Sequence, residues 1–521
     1  MKIQVNCPTC HKIAETTGEM KFGTMTMRTY KCGHSQVFNG VVVDEDSLNI
    51  TSLDGKNPFP YQLDGARFAE RANLRCLIAD EMALGKTIQA IMLLVAHPEM
   101  RPFVVFCKSG LRVQFNKELV RWGDLMTQII DGKNDTFLKG MDGFIISLDT
   151  AWRIPDLKEK FKKLGINSVI IDECQLIKND EAKRTRAIQD VCREQERIIA
   201  LSGTPIKNNA GEYYPILNIL RPDKFPSKSN FVYGWCDSYF NGYGTKTGGL
   251  KNPQKFKEFT KDFIIRRERA DVLPDLPKIF RSFQFHELGE MVEAEYVKTL
   301  HEFQDFYTTA SGSFEDQSNI LAYLAKMRHL AGLAKIDPIC EYVEEFITTT
   351  DRKLAIFVHH KDVGITLRMK LENMGREWPA EWGKEILQLT SEMDAYEREE
   401  VINKWRGPDY RVCILSTLAS GEGLNLQFCS DCILAERQWN PANEEQAESR
   451  FPRPGSLADK INSIYFIAVG TVDEFFSELV EQKREICSKT MSGEAVSWSE
   501  SGLVKELAQI LAEKGGRKWG F

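Results

Sequence analysis

Residues 75–94 read RCLIADEMALGKTIQAIMLL, which is an apolar run, a loop and a helical pattern in succession. This order is typical of a phosphate-binding loop, in which backbone N–H groups at the helix start hold phosphate oxygens. Lys86 would then meet the β and γ phosphates, and Thr87 would be a ligand of Mg²⁺. Asp80 occupies the position where the standard pattern has a glycine. This stretch alone therefore supports a nucleotide site and a chance Gly-Lys-Thr about equally.

A second segment, SVIIDECQ, places Asp172 and Glu173 at the end of a buried strand. The first carboxylate can hold Mg²⁺, and the second can orient or deprotonate an attacking water. Adjacent acids after a strand are also common at ordinary surface loops. The order along the chain favours chemistry, because the segment IIALSGTP at Ile198–Pro205 follows the acids. The three segments together are far less expected by accident than any one of them.

Short apolar runs alternate with helical patterns through residues 60–270 and again through 350–475. Strands separated in this way predict parallel sheets with helices on both faces. We therefore expect an α/β protein with two lobes. The predicted domains are a small zinc-binding module over 1–45, a first lobe over 55–275, a second lobe over 276–489, and a short helix with a basic tail over 490–521.

The bulk composition indicates a multidomain soluble protein, with 42% hydrophobic and 27% charged residues in a chain of 521. The formal net charge of −6 argues against a protein that coats nucleic acid through its overall field. A local contact with nucleic acid is still open, and the basic stretch Lys251–Arg269 is one candidate for it. For that stretch alone, charges on a solvated helix face are the better explanation. No run approaches the ~20 apolar residues that span a bilayer, so we expect no membrane association.

The N-terminal region pairs Cys7 and Cys10 with Cys32 and His34, which are suitable ligands for a structural tetrahedral Zn²⁺ site. A domain of ~45 residues has little core of its own, which favours a metal staple. The single-residue gap between Cys32 and His34 counts against zinc, and unpaired cysteines in a small β module are the alternative. His11 is a substitute ligand.

The segments DEMALGKT, DE and SGTP together resemble the Swi/Snf-related ATPases of helicase superfamily two, whose phosphate loop reads DEMGLGKT. An acid at position 80 is usual in that family, and Ala83 replaces a glycine there, which adds a methyl group beside the phosphate path. The resemblance covers residues 58 to about 483. It implies two RecA-like lobes with helical protrusions, and ATP hydrolysis with Mg²⁺.

Further segments match motifs of that family. Gln62 in YQLDG resembles its adenine-reading element, and Ser202 and Thr204 match the motif that couples hydrolysis to movement. In the second lobe, the resemblance implies that Arg450 and Arg453 reach the γ phosphate, where charge neutralisation can be worth ~10³ or more in rate. The nucleotide-binding and catalytic residues that the resemblance implies are Gln62, Asp80, Ala83, Leu84, Gly85, Lys86, Thr87, Asp172, Glu173, Gly423, Gln446, Arg450 and Arg453.

A narrower resemblance, to the annealing-helicase branch, rests on segments such as IIRRERADVLPDLPK, MRHLAGLAKI and AVGTVDEFF. Members of that branch rewind DNA strands and remodel forks. The resemblance implies a motor that tracks the phosphates of double-stranded or branched DNA, with steep salt dependence and little sequence preference. The DNA contacts that it implies are Lys108, Ser109, Arg112, His359, His360, Lys361, Thr417 and Ser420.

Two other functions stay open at this point. One is a strand-separating helicase or an RNA-stimulated ATPase. The other is a DNA- or protein-binding scaffold in which ATP only sets lobe position, with turnover lost through Ala83 or through Pro452 and Pro454, which flank Arg453. We also expect a monomer, a protein partner for the N-terminal module, and a place in the cytoplasm of a prokaryotic or phage-infected cell, or in the nucleus of a eukaryote.

Overall fold

The computed structural model divides the chain into two compact units. Unit 1 comprises Met1–Thr247 with Gln254–Pro274, and unit 2 comprises Gly248–Pro253 with Asp275–Phe521. We call residues 48–274 lobe 1 and residues 275–521 lobe 2. Backbone alone is described for residues 4–6, 13–22, 25–30, 35–39, 238–240, 245–246, 314–315, 317, 395 and 441–442. Side chains are described as well for residues 48–132, 136–203, 205, 209–237, 247–309, 316, 318–378, 386–394, 396–417, 424–438, 443–453, 455–456, 458–478, 480–481 and 507–512.

The N-terminal module contains a four-stranded antiparallel sheet with strands in chain order. Its strands are β1 (Gln4–Asn6), β2 (Ile13–Phe22), β3 (Met25–Tyr30) and β4 (Ser35–Asn39). The predicted zinc ligands Cys7, Cys10, Cys32 and His34, and the substitute ligand His11, lie outside the described residues.

Lobe 1 alternates strands and helices from residue 60 onward. Its elements are α1 (Pro60–Arg71), β5 (Arg75–Ile78), α2 (Lys86–Ala96), β6 (Phe103–Cys107), α3 (Arg112–Gly123), β7 (Thr127–Ile130), β8 (Gly143–Ser147), α4 (Leu148–Ala151), α5 (Leu157–Leu164), β9 (Ser168–Ile171), α6 (Lys183–Cys192), β10 (Arg197–Leu201), α7 (Tyr214–Leu220), α8 (Lys228–Trp235), β11 (Cys236–Phe240), β12 (Thr245–Leu250), α9 (Pro253–Thr260), β13 (Ile264–Ile265) and α10 (Arg269–Val272). Strands β11 and β12 pair with each other as a separate ribbon.

Seven of these strands form a parallel sheet in the order β13-β5-β10-β9-β6-β8-β7. Every residue of β6, β8 and β9 is buried, as expected for strands that helices cover on both faces. Neighbouring strands end level with one another, since Ala200 is in register with Leu77 on one side and Ile171 on the other. The segments that follow β5, β9 and β10 therefore meet at one edge of the sheet.

Lobe 2 repeats the same construction. Its elements are β14 (Lys278–His286), α11 (Glu290–Thr309), α12 (Phe314–Ala334), α13 (Ile336–Thr349), β15 (Leu354–Val358), α14 (Lys361–Gly375), β16 (Leu387–Leu389), α15 (Ala395–Arg406), β17 (Val412–Ser416), β18 (Asp431–Leu434), α16 (Pro441–Glu448) and β19 (Lys460–Ala468). Six strands form a parallel sheet in the order β14-β19-β18-β15-β17-β16.

The core of lobe 2 lies on both faces of this sheet. Leu354, Ile356 and Val358 of β15 pack into one buried cluster, and the alternating Ala355 and Phe357 pack into another. Both lobes are thus RecA-like, with parallel sheets between layers of helices, which confirms the fold class predicted from the sequence.

The short helix near the C-terminus packs against lobe 2. Leu507, Ala508 and Leu511 are buried in a cluster with Tyr296 and Phe303 of α11. Among the residues whose structure is described, none of the helices is long and apolar enough to cross a membrane.

Candidate nucleotide site and helix α16

The loop between β5 and α2 contains two residues with left-handed backbone, Ala83 at φ +71° and Gly85 at φ +68°. A Cβ atom on Gly85 would lie 2.2 Å from Nε2 of Gln62, so the space as well as the conformation requires glycine there. Ala83 adopts the positive φ despite its methyl group. The loop thus accommodates alanine at this position with left-handed backbone.

Gln62 holds this loop from α1. It is 2% exposed, its Oε1 accepts from the backbone N–H of Phe59 at 2.9 Å, and its Nε2 donates to the carbonyl of Leu84 at 3.3 Å. Leu84 itself is fully buried, and Thr87 is the second residue of α2. The predicted adenine-reading residue therefore already contacts the phosphate loop through its amide.

Lys86, the first residue of α2, places its ammonium group against the same loop. Nζ donates to the carbonyl oxygens of Asp80 at 2.8 Å and of Glu81 at 3.1 Å. Burial lowers the pKa of Lys86, and the carboxylates of Glu173 and Asp80 oppose that shift. A Cβ atom on Gly203 would lie 3.5 Å from Nζ, which brings the segment after β10 to the same point.

Glu173, the second of the two acids after β9, is connected by hydrogen bonds to the segment that follows β10. Glu173 has left-handed backbone at φ +49°, and its carboxylate accepts a short hydrogen bond from Nε2 of Gln175. Oε1 of Gln175 in turn accepts from the hydroxyl of Ser202 at 2.7 Å. Gln175 was not among the predicted site residues, although it lies two positions after Glu173, and Thr204 lies outside the described residues.

Asp80 is fully buried and points into lobe 1. Its carboxylate accepts from Nε of Arg267 at 3.0 Å, from Nε2 of Gln89 at 2.9 Å, and from a second nitrogen of Arg267. Arg267 was read from the sequence as part of a solvated stretch, Lys251–Arg269. That interpretation is wrong for Arg267, because a buried carboxylate needs a cation beside it.

Two neighbouring arginines act on the adjacent loop residues. Arg269 binds Glu81 through its Nε and its backbone N–H, both at 2.7 Å. Arg266 donates from Nη1 to the carbonyl of Ala79 at 3.2 Å and to that of Gly203 at 3.4 Å. We call Arg266, Arg267 and Arg269 the arginine clamp. No charge pattern in the sequence distinguishes them from surface arginines.

The geometry of this edge fits a nucleoside triphosphate with Mg²⁺. The N-terminus of α2 has backbone N–H groups without helical partners, which are suited to phosphate oxygens. Lys86 adds a cation, and Thr87 and Asp172 have side-chain oxygens of the kind that Mg²⁺ prefers. Glu173, next to Asp172, has a carboxylate of the kind that serves as a general base. Residues 85 and 203 are glycines, and at both positions the Cβ atom of a larger residue would clash with a neighbouring side chain.

In lobe 2, helix α16, which carries Gln446, is anchored by ion pairs of its two buried glutamates. Arg437 and Glu444 are fully buried and joined at 2.9 Å. Glu448, also fully buried, accepts from Arg281 at 3.0 Å and from the hydroxyls of Ser463 at 2.7 Å and Tyr465 at 2.8 Å. These pairs fix the helix that carries Gln446 and leads into the two predicted arginine fingers.

Arg450 and Arg453, which the resemblance implies as contacts of the γ phosphate, follow that helix. Arg450 is 9% exposed, and its carbonyl accepts from the backbone N–H of Leu426 at 3.1 Å. Arg453 contacts the side chain of Asn425, and its carbonyl accepts from the N–H of Ser456 at 2.9 Å. The hydroxyl of Ser456 donates to the carbonyl of Phe451 at 2.6 Å, which closes a turn around Arg453. Gly423 and Pro454 lie outside the described residues.

Several predicted DNA contacts already have partners within their own lobe. Arg112 donates to the carbonyl of Ile130 at 3.1 Å, and Lys361 binds Glu392 at 2.6 Å. The hydroxyl of Thr417 donates to a carbonyl of β15. Lys108 is partly exposed and Ser109 is exposed, and Ser420 lies outside the described residues.

His359 and His360 are arranged around a buried glutamate, Glu436. Both backbone N–H groups donate to its carboxylate, at 2.7 Å and 3.0 Å, and Nδ1 of His360 binds it as well. Burial alone would raise the pKa of Glu436, but the hydrogen bond and charge of His360 lower it to about 2. Burial and the neighbouring Arg328 lower the pKa of His359 to about 4.

Comparison with known proteins matches the chain to two domain families. A family model of the SNF2-related domain matches residues 61–332, and one of the helicase conserved C-terminal domain matches residues 334–455. The DNA annealing helicase and endonuclease ZRANB3 of Homo sapiens is 27% identical over 480 residues, which cover 89% of this chain and 42% of that protein. This chain thus spans less than half the length of that relative.

Two further similarities have the same extent along the chain. The SWI/SNF-related matrix-associated actin-dependent regulator of chromatin subfamily A-like protein 1 of Xenopus tropicalis is 26% identical, over 89% of this chain and 48% of that protein. Among solved structures, the SWI2/SNF2 ATPase core of Sulfolobus solfataricus in complex with dsDNA is 23% identical with a TM-score of 0.40, covering 89% of this chain and 98% of that chain.

Proposed function

Since the chain belongs to the SNF2-related domain family, we propose that it is a DNA-dependent ATPase that moves along double-stranded or branched DNA. The observation that carries the proposal is the convergence at one sheet edge of the α2 N-terminus, Lys86, the acids after β9 and the segment after β10. Hydrogen bonds from Glu173 through Gln175 to Ser202 connect the proposed base to the proposed coupling motif. A change at the γ phosphate thus has a direct route to Ser202.

The residues act in the following way in this proposal. Backbone N–H groups of α2 and the ammonium of Lys86 hold the phosphates, and Thr87 and Asp172 hold Mg²⁺, which when bound neutralises phosphate charge. Glu173 orients the attacking water and accepts its proton. From lobe 2, Arg450 and Arg453 add positive charge that turnover needs, with Gln446 beside them on α16.

DNA is proposed as the partner because of the family and because the human relative is named as a DNA annealing helicase. With a net charge of −6, the chain must bind through local basic groups that contact phosphates rather than bases. The proposed contacts stay Lys108, Ser109, Arg112, His359, His360, Lys361, Thr417 and Ser420, and we propose a monomer acting in the cytoplasm, or in the nucleus of a eukaryote.

The test measures ATP turnover alone and with single-stranded DNA, duplex DNA, forked DNA or RNA. We expect duplex or forked DNA to raise the rate most, and ~100–200 mM added salt to abolish most of the stimulation, because phosphate contacts release counterions. Lys86→Ala should lose nucleotide binding and with it all turnover. Stimulation by RNA alone, or a rate that no nucleic acid changes, would contradict a DNA motor.

We also propose a structural Zn²⁺ in the N-terminal module, held by Cys7, Cys10, Cys32 and His34. Four soft or borderline ligands in a module with little core support it. Metal analysis should find about one zinc per chain and none in a Cys7→Ser, Cys10→Ser double variant. Equal zinc in both proteins would show that the metal binds elsewhere.

A further inference from the structure

The arginine clamp binds consecutive residues of the phosphate loop from a segment far along the chain. β13 runs parallel to β5, with Ile265 in register with Ile78. The same backbone hydrogen bonding continues past the strand ends. The N–H of Ala79 donates to the carbonyl of Ile265 at 2.7 Å, and the N–H of Glu81 donates to the carbonyl of Arg267 at 2.9 Å. The clamp segment thus lies alongside the first residues of the loop.

We propose that the arginine clamp positions the phosphate loop, and that Arg267 is its central positioning residue. A standard phosphate loop has a glycine where this chain has Asp80, so its backbone needs no side-chain anchor there. A carboxylate at a fully buried position is strongly unfavourable unless cations and donors surround it. Arg267 provides both, because its planar guanidinium reaches both oxygens of Asp80.

The clamp also determines where the proposed phosphate-binding lysine rests. Lys86 donates to the carbonyls of Asp80 and Glu81, and these are the two residues whose side chains Arg267 and Arg269 hold. Displacing either side chain moves the carbonyls against which the ammonium lies. The inference therefore rests on the proposed function, since it concerns the residue that would contact the phosphates.

An independent observation shows how tightly the clamp is enclosed. Gln89 of α2 binds Asp80 through its Nε2 and accepts from Arg267 at 3.0 Å through its Oε1. A Cβ atom on Gly65 of α1 would lie 1.8 Å from that Oε1 and 2.5 Å from a terminal nitrogen of Arg267. Helix α1 can approach only because residue 65 is glycine. Two helices, the loop and the segment after β13 thus meet at one hydrogen-bonded group around the buried Asp80.

The test replaces Arg267 by lysine, which keeps the charge but cannot bind both oxygens of Asp80 in a fixed plane. We expect the KM for ATP to rise about tenfold while kcat at saturating ATP falls less than about threefold, because the residues that act on the phosphates are unchanged. Gly65→Ala should give the same KM effect without altering any charge. A normal KM in both variants, or a fall in kcat at unchanged KM, would overturn the proposal.

The matched control is Arg121→Lys, which alters another two-oxygen Arg–Asp pair of lobe 1. Arg121 binds Asp54 at 2.9 Å and 2.7 Å and joins α3 to the residues before α1. This control should leave the KM unchanged, and an equal rise would mean that any lost ion pair loosens the lobe.

Hydrogen exchange separates this proposal from the proposed function. The amides of residues 80–86 should exchange about tenfold faster in Arg267→Lys than in the unaltered protein or in Arg121→Lys, with no nucleotide present. If the unaltered protein fails to hydrolyse ATP but this difference appears, the clamp stands and the ATPase proposal fails. Equal exchange in all three proteins would refute the clamp.

Discussion

Ala83 is the residue of the phosphate loop with left-handed backbone and a side chain. Its φ of +71° lies in the left-handed region, where an L-residue with a Cβ atom is disfavoured by about 1–2 kcal/mol. Gly85, two residues on, has nearly the same φ without that strain. The loop therefore has one residue under strain, and this strain can be removed by a single substitution.

Ala83→Gly should raise the free energy of unfolding by about 0.5–1 kcal/mol, since relief of strain exceeds the added flexibility of the unfolded chain. Urea unfolding measures it. Ala72→Gly is the matched control, because Ala72 has an ordinary φ of −83° at the end of α1. That variant should lose about 0.5–1 kcal/mol. A loss of stability in both would show that Ala83 is not strained.

Glu173→Gln should lower kcat by ~10²–10⁴ while nucleotide binding persists, because the amide cannot accept the proton of the attacking water. Binding of a fluorescent ATP analogue and steady-state turnover distinguish the two effects. Glu118→Gln, at a partly buried glutamate that binds Trp122 in the same lobe, should change neither. Unaltered turnover in Glu173→Gln would mean that another group activates the water.

At the scale of elements, ion pairs of two buried glutamates anchor helix α16 in lobe 2. Arg437 pairs with Glu444 and Arg281 pairs with Glu448, and of these four charged side chains only that of Arg281 is exposed. Such pairs add little net stability compared with apolar packing, but they fix one orientation because losing one partner leaves a buried charge. A single orientation of α16 also fixes where the chain leaves the helix towards Arg450.

Arg281→Met should destabilise lobe 2 by about 3 kcal/mol, since Glu448 would stay buried without its cation. Adding Glu448→Gln should restore stability to within about 1 kcal/mol, because the amide is neutral. Arg368→Met breaks an exposed pair on α14 and should cost less than about 0.5 kcal/mol. Simple additivity of Arg281→Met and Glu448→Gln would show that the pair is not coupled.

At the scale of the whole molecule, the sequence predicted both sheets because their strands are buried on both faces and therefore appear as uninterrupted apolar runs. Because Lys86, Asp172 and Glu173 follow the ends of those apolar runs, they could be predicted to lie at one edge of the first sheet. The clamp could not be predicted in this way, since Arg267 and Asp80 are 187 positions apart and charge alone does not reveal a buried partner. Long-range ion pairs have no local periodicity.

Stability should fall as the pH drops from neutrality, starting with lobe 2. The pKa of His359 is lowered from 6.5 to about 4, so below pH 6.5 the unfolded chain binds the proton preferentially and stability is lost down to about pH 4. Glu436, lowered from 4.5 to about 2, extends the loss to more acidic pH. Thermal unfolding from pH 7 to pH 4 measures this.

His359→Gln should remove the upper part of this loss, roughly 2–3 kcal/mol between pH 6.5 and 4. His301→Gln, at an exposed histidine of α11, should leave the profile unchanged. Identical profiles for His359→Gln and the unaltered protein would assign the acid sensitivity to other groups.

The pairing of β13 with β5 has a consequence for synthesis of the protein. The partners of Asp80 and Glu81 are translated 187 and 188 residues later, so one edge of β5 emerges from the ribosome without its neighbour. At ordinary translation speeds this interval lasts about 10–40 s. During that time one edge of β5 lacks its partner strand and the carboxylate of Asp80 lacks its arginine, so this edge is open to non-native strand pairing until Arg267 has been made.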